Sequence, residues 1–276
     1  MPVIILRNQR KAFFNGAEQT GLWIGGAKVW TRPQPWTPAA EIPSGKYAWW
    51  STAKRPFRVE AGRSYLDDQA LGASGIVLAA KDAAAASQPT RITDTDGLPS
   101  IRMNATDASQ RLGYPTTLGL DTETAAMLVK PRGGPKNTAS VFSFGNSSGT
   151  FLDCASGGGG QYQSGQFRAY LQTSTGDIGG GNMNPIENFT DKWMLWIAEM
   201  EHTAGAMRVY INGSLRFTVA FPASGVSVNG FAIAAERNNI ASAPMDFAAG
   251  CVLHGLGHRQ NIIDHFKREW GSRVVG

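Results

Sequence analysis

From Tyr47 onward, short runs of aliphatic, β-branched and aromatic residues alternate with stretches rich in Gly, Ser, Asn and Asp, and that alternation admits few folds. The runs are PFRVE, IVLAA, SIRMN, TAAMLVK, ASVFSFG, QFRAYL, KWMLWIAEM, AMRVYING, RFTVAF, GFAIAAE and DFAAGCVLHG. Many short strands with regular turn signals predict an all-β chain folded as a sandwich or barrel. The period of two is clearest where Met207, Val209 and Ile211 alternate with Arg208 and Tyr210 before the turn pair Asn212-Gly213. KDAAAAS around Ala83 suits either a helical turn or two or a small connecting loop. Only the end reads as a helix: in NIIDHFKREWGSRV, Ile262, Phe266, Glu269 and Trp270 keep helical spacing, and Gly271 supplies a stop.

Ahead of this region lies a different one. Between Val3 and Trp30 the runs VIIL, FF, LWI and KVW are separated by Asn15-Gly16 and Gly25-Gly26, the chemistry of a small hairpin-rich unit. It is followed by TRPQPWTPAAEIP, in which Pro33, Pro35, Pro38 and Pro43 remove backbone donors and favour extended conformations. The expected organisation is an N-terminal module at 1–32, a proline-rich linker at 33–44 and one large β domain at 45–276.

Composition narrows the partners. Charged residues make up 17% of the chain, below the usual share of about a quarter. The surface therefore leans on Ser, Thr, Asn, Gln and Gly, which meet sugars and proteins through neutral hydrogen bonds. A net charge of +5 over 276 residues is too diffuse to argue for nucleic acid. No window approaches a membrane span, and the apolar run in MPVIILRNQR is short for a signal peptide, so synthesis in the cytoplasm is expected. Cys154 and Cys251 are too few for a disulfide framework; a pair and two separate buried thiols both remain open.

The loops GNSSGT, ASGGGGQYQSGQ and TSTGDIGGGNMNPIEN are neutral, glycine-rich and studded with amides, which lets a backbone approach a ligand closely. Against that stands the plainer reading as hairpin ends. Tyr114, Tyr162, Tyr170 and Phe189 lie near polar stretches, where rings either stack on sugars or fill the core. The glycine run Gly157 to Gly160 lacks the following Lys-Ser/Thr of a phosphate loop, and no nucleophile-elbow pattern occurs. His254 and His258 enclose two glycines that argue against the helix a metal pair would need, and His202 and His265 add no pattern. Asp94, Asp96, Asp153, Asp177 and Asp246 are possible rim Ca²⁺ ligands without a recognisable loop pattern, so no metal and no cofactor is assigned.

The block Trp193 to Phe217, WMLWIAEMEHTAGAMRVYINGSLRF, resembles the concanavalin A-like or laminin G-like jelly roll: a Trp-bearing strand, a polar turn, then a strand ending Y-x-N-G. GFAIAAERNNIASAPMDFAAGCVLHGLGHRQNIIDHFKREWG is similar to that family's ending, and QPTRITDTDGLPSIRMNATDASQRLGY to its opening, so the likeness covers about residues 45 to 276. GLWIGGAKVW, with the short runs before it, looks like the lead-in modules of phage tail, fibre and spike proteins. Together these imply a two-sheet jelly-roll sandwich with a short C-terminal helix, carried by an N-terminal attachment module. The implied role is a receptor-binding spike of a phage or phage-like gene transfer agent particle. Host cell-surface polysaccharide, other particle proteins and a homotrimer are the implied partners, and the particle surface is the implied location.

On this reading the sugar contacts are polar positions between strands: Asn146, Tyr162, Gln163, Asn182, Asn184, Arg237, Asn238 and Asn239. Two rivals stand beside it. One is a glycan-depolymerising hydrolase: Glu199 and Glu201, two apart on an expected strand, face one way, the minimum for an acid and a base. The related glucanases carry a third acidic residue in the same strand motif, which Glu199-Met200-Glu201-His202 lacks, and the pair is expected at a solvated strand end. The other rival is a purely structural virion protein.

Overall fold

The computed structural model describes residues 12–14, 17–19, 21–24, 27–31, 47–52, 58–67, 77–80, 82–103, 110, 112–114, 122–132, 139–145, 151–156, 167–173, 176–182, 191–201, 203–220, 230–233 and 244–274. The chain divides into two compact units, Met1–Thr37 and Pro38–Gly276. In the first, β1 (Ala12–Phe14) pairs antiparallel with β2 (Ala17–Gln19), and β3 (Gly21–Ile24) with β4 (Ala27–Thr31). Phe14 opposite Ala17 and Ile24 opposite Ala27 leave only Asn15-Gly16 and Gly25-Gly26 between paired strands, the tight connections that such pairs favour.

The second unit continues with β5 (Tyr47–Ser51), β6 (Arg58–Glu60), β7 (Arg63–Asp67), β8 (Val77–Ala80), β9 (Thr90–Thr93), β10 (Pro99–Met103) and β11 (Leu112–Tyr114). Then come β12 (Thr122–Pro131), β13 (Ala139–Gly145), β14 (Phe151–Ser156), β15 (Phe167–Thr173) and β16 (Gly176–Asn182). The last are β17 (Met194–Glu201), β18 (Ala206–Ile211), β19 (Ser214–Ala220), β20 (Gly230–Ile233) and β21 (Met245–His254), followed by helix α1 (Arg259–Trp270). KDAAAAS holds a single 3-10 turn, Ala85–Ser87.

Among the described residues these strands form two antiparallel sheets. The eight-stranded one runs β19-β18-β17-β12-β21-β10-β9 with β5 also on β21, and the nine-stranded one runs β16-β15-β14-β13-β20-β11-β8-β7-β6. The result is the expected two-sheet sandwich with one C-terminal helix. One segment expected as a loop is corrected: GDIGGGN is strand β16, an edge position where glycines weaken a ladder that must hold on one side only. The loop stretch ASGGGGQYQSGQ begins inside β14, a strand whose first four residues fall in no expected element.

Strand register assigns the faces, because directly paired residues lie on the same side of a sheet and neighbours along a strand alternate. In the eight-stranded sheet, Trp196 pairs with Ile211 and Met127, Ala198 with Val209 and Ala125, and Phe247 with Val129 and Ile101. All of these are buried and apolar, and helix α1 lies on the opposite side, where Arg259 meets Tyr210 and Glu199, which makes this the face turned to the core. In the nine-stranded sheet the corresponding row begins at Leu66 opposite Leu78 and continues from Ala80 through Leu112 to Ile233, Phe142, Cys154 and Ala169. Leu66, Leu78, Ala80 and Leu112 have 0% of their surface exposed, so this row also faces the core.

The Y-x-N-G motif has a local cause. Asn212 and Gly213 both adopt positive φ, 49° and 79°, closing β18 onto β19 in the left-handed conformation that Asn and Gly tolerate. Asn212 also donates its backbone N–H to the Leu195 carbonyl at 2.9 Å and accepts the Leu195 N–H on its side-chain oxygen at 2.8 Å. One residue thus turns the hairpin and ties it to β17.

Candidate ligand-binding face

The outer side of the eight-stranded sheet is covered over its apolar centre. Leu128, Leu195, Ile197, Ala126, Cys251 and Leu253 alternate with the core-facing residues, yet all have 0% exposure. Their cover includes α1, whose Ile262, Ile263, Phe266 and Trp270 form one buried stripe at helical spacing. Gly271 takes φ 46° and ends the helix as expected. At the helix start Arg259 stacks on Tyr210 at 4.1 Å and lies 3.9 Å from Glu199. Burial holds the Cys251 thiol far above its ordinary pKa, and it is a free thiol.

A charged latch lies beside the helix on that side. The β9–β10 turn carries Asp94, Asp96 and Gly97, with the Gly97 N–H donating to the Asp94 carbonyl at 2.9 Å. Arg273, with 0% side-chain exposure, grips the Asp96 carboxylate with two nitrogens and donates to the carbonyls of Leu98 at 2.7 Å and Pro99 at 3.1 Å. Its guanidinium lies 4.1 Å from the Trp193 ring centre and 5.1 Å from that of Trp270. Asp94 takes donors from Lys130 and, at 3.0 Å, from the Trp193 indole. Burial opposes the charge on Asp94, but Lys130, the Thr95 N–H and Trp193 prevail and hold its pKa at about 2. Arg273 lowers the pKa of Asp96 in the same direction. Asp94, Asp96 and Asp246, three of the possible Ca²⁺ ligands, are each bonded to Lys or Arg instead.

Glu199 and Glu201 do share this side, as their spacing predicts, but the expected solvated strand end is corrected. Glu199 retains 9% exposure beneath the helix start, and Glu201 accepts from Arg208 at 2.7 Å. Gly255 and Gly257, at φ 92° and 86°, break the chain between His254 on β21 and His258 at the helix start.

The other outer side has a different character. Opposite to the core row, register aligns Tyr65, Ala79, Gly113, Ala232, Ser143, Asp153, Tyr170 and Gly179 across β7, β8, β11, β20, β13, β14, β15 and β16. Gln172, paired with Asp177, and Arg168, paired with Asn182, occupy the same face. The row has two tyrosine positions separated by small residues and a carboxylate, spanning roughly 29 Å at the ~4.8 Å spacing between strands. Tyr65 itself carries the Arg58 guanidinium at 4.5 Å and that of Arg63 at 5.6 Å from its ring centre. Small residues let a ligand approach the backbone, and tyrosines offer stacking faces beside hydrogen-bonding groups.

Strand direction also sorts the expected contacts. Ser156, Phe167, Asn182 and Ile233 end strands at one end of the nine-stranded sheet, and Arg132, Asp191 and Pro244 at the matching end of the other. Segments 157–166, 183–190 and 234–243, with Tyr162, Gln163, Asn184, Arg237, Asn238 and Asn239, join there; those residues lie outside the described ones. Asn146, also outside them, follows Gly145 at the opposite end. Asn182, expected in a loop, is corrected: it is the last residue of β16, opposite Arg168. Arg168 and Gln172 lie within β15 and Asp153 within β14; the period-two alternation of FRAYLQT is the sequence signal that puts Arg168, Tyr170 and Gln172 on one face, and Asp153 joins them through its pairing with Tyr170.

No protein-family model matches the chain, and no curated protein matches it in sequence. Solved structures do share its fold. Domain 4 of an extracellular arabinanase from Geobacillus stearothermophilus, in complex with arabinotriose, superposes with TM-score 0.53 at 14% identity, covering 78% of this chain and 96% of that one. The binding domain of botulinum neurotoxin serotype D gives 0.52 at 13% identity, covering 84% of this chain and 53% of that one. Trypanosoma rangeli sialidase gives 0.55 at 10% identity over 83% of this chain and 34% of that one. The chain thus spans about half of the toxin domain and a third of the sialidase. At such identities the likeness speaks to fold alone, and the fold is a two-sheet, concanavalin A-like β-sandwich.

Proposed function

We propose that the chain is a non-enzymatic carbohydrate-recognition protein that binds an extended glycan along the outer face of the nine-stranded sheet. The observation that carries this is the row from Tyr65 to Tyr170, with Asp153, Arg168 and Gln172 beside it. Planar stacking and short polar side chains at strand spacing are what a polysaccharide needs, and no proton-transfer pair is required. The carboxylates best spaced for hydrolysis, Glu199 and Glu201, lie on the opposite outer side beside Arg259 and Arg208. The arabinotriose bound by a domain of the same fold adds support for a sugar ligand.

The finer reading concerns setting. The hairpin unit and the proline-rich 33–44 segment favour a module that attaches the sandwich to a phage-like particle or to sister copies, with the polysaccharide of a host surface as target and a homotrimer as the assembled form. Avidity then compensates for weak single sites. The deciding experiment incubates purified protein with capsulated cells and their isolated polysaccharide while reducing ends are followed in the same tubes. Saturable binding competed by free polysaccharide, without new reducing ends, is expected. Release of reducing ends would replace the binder with a hydrolase, and no binding by a folded oligomer would favour a structural subunit.

A further inference from the structure

We propose that Arg102 and Arg132 form an anion subsite for an acidic sugar, whose carboxylate or sulfate ester accepts from the guanidinium donors that Asp246 leaves unused. Asp246 has 0% exposure and is surrounded by cations: Arg102 Nε at 2.8 Å and Nη2 at 3.1 Å, Arg132 Nη1 at 3.2 Å and Lys130 Nζ at 3.5 Å. One carboxylate balances one charge, and Lys130 is also bonded to Asp94. The two guanidiniums meet on Asp246 Oδ2 and keep 26% and 34% of their side-chain surface exposed.

Their donor inventory is incompletely used. Arg102 bonds through Nε and Nη2, and Arg132 through Nη1. Among the described residues no acceptor faces Arg102 Nη1 or Arg132 Nε and Nη2. The directly bonded group holds Arg102, Lys130 and Arg132 against Asp94 and Asp246, a surplus of one positive charge, with Asp191 close enough to act on Arg102. Planar guanidiniums held by a buried carboxylate lose little freedom on binding and match an oxyanion with paired N–H groups.

Register places the subsite on the outer side of the eight-stranded sheet, away from the Tyr65–Tyr170 row, at the end of its strands. Arg132 precedes segment 133–138, and Asp246 lies two residues after Pro244, at the end of the sandwich where segments 183–190 and 234–243 join the strands. That the oxyanion is borne by a sugar rests on the glycan-binding reading; the anion site itself does not.

The test measures binding of the full chain to an oligogalacturonide, a sulfated galactan oligomer and a neutral galactan oligomer of equal length, each at low and high salt, for wild type, Arg132→Gln and Arg132→Lys. Asp246 keeps Arg102 and Lys130 in both variants, and an unchanged melting temperature certifies folding. The expected result is that one anionic probe binds on the order of tenfold tighter than the neutral one, that salt erodes this advantage, and that Arg132→Gln removes it while Arg132→Lys keeps part. Which anionic probe binds decides between carboxylate and sulfate. Equal binding of anionic and neutral probes overturns the subsite but leaves glycan recognition standing. An advantage that survives Arg132→Gln also overturns it, and no binding of any probe overturns both readings.

Discussion

The two outer faces of the sandwich use the same pleated backbone to opposite ends. On the eight-stranded sheet the residues pointing away from the core, among them Ala126, Leu128, Leu195, Ile197 and Cys251, are as buried as those pointing into it. Strands apolar on both sides need a second cover, and α1 with the Arg273 latch supplies part of it. On the nine-stranded sheet, β14 and β15 alternate: Leu152 and Leu171 share the core-facing side, while Asp153 and Tyr170 share the other. Alternation of this kind marks a face whose outward residues do not need a second apolar cover.

That contrast is best broken at the latch. Arg273→Met leaves Asp96 without its guanidinium and separates Trp193 from Trp270; a loss on the order of 3 kcal/mol in urea unfolding is expected, with sugar binding by the folded fraction intact. Loss of binding with unchanged stability would assign that side to the ligand. Acid weakens the same latch. Asp94 titrates at about 2 in the folded state against an ordinary aspartate value of 3.8, so its stabilisation is present above about pH 5 and disappears as pH falls through about 2. The shift corresponds to on the order of 2 kcal/mol, with Asp96 contributing in the same direction. Urea midpoints across that range should fall for wild type and much less for Asp94→Asn.

Smaller effects probe the other face. Tyr170→Ala should weaken glycan binding by about fivefold, from ~1 kcal/mol of stacking, while the unfolding midpoint stays within the roughly 0.5 kcal/mol typical of surface changes. A large stability loss with unaltered binding would move Tyr170 from the ligand face to the fold. The smallest effect belongs to Asn146→Ala: the preceding Gly145 ends β13 away from the Ala139–Ser156 pair, so binding by isothermal calorimetry should not change. A clear loss there would show that the ligand reaches across the whole sheet.

Much of the fold was legible in the residues. The runs that were read as strands overlap β6, β8, β10, β12, β13, β15, β17, β18, β19, β20 and β21, and Asn212-Gly213 announced its hairpin. The strands that escaped were short or polar, such as β7 in RSYLD and β9 in TRIT, or rich in glycine, such as β16, where pairing with β15 overrides a poor intrinsic preference. The site was less legible. Polar loop residues were the expected contacts, whereas Asp153 joins Arg168, Tyr170 and Gln172 on one face only through the pairing of β14 with β15.

Local chemistry by itself determined that this chain is built of strands, that Asn-Gly pairs turn them, and that NIIDHFKREW closes the domain as a helix, because period, turn conformation and capping act over a few residues. Only the tertiary structure decided that Asp94, Asp96 and Asp246 hold Lys and Arg, that Glu199 lies beneath Arg259, and that Arg102 meets Arg132. Those pairs join groups distant along the chain, Arg273 and Asp96 among them, and a charge has no partner in a sequence until the fold brings one within reach.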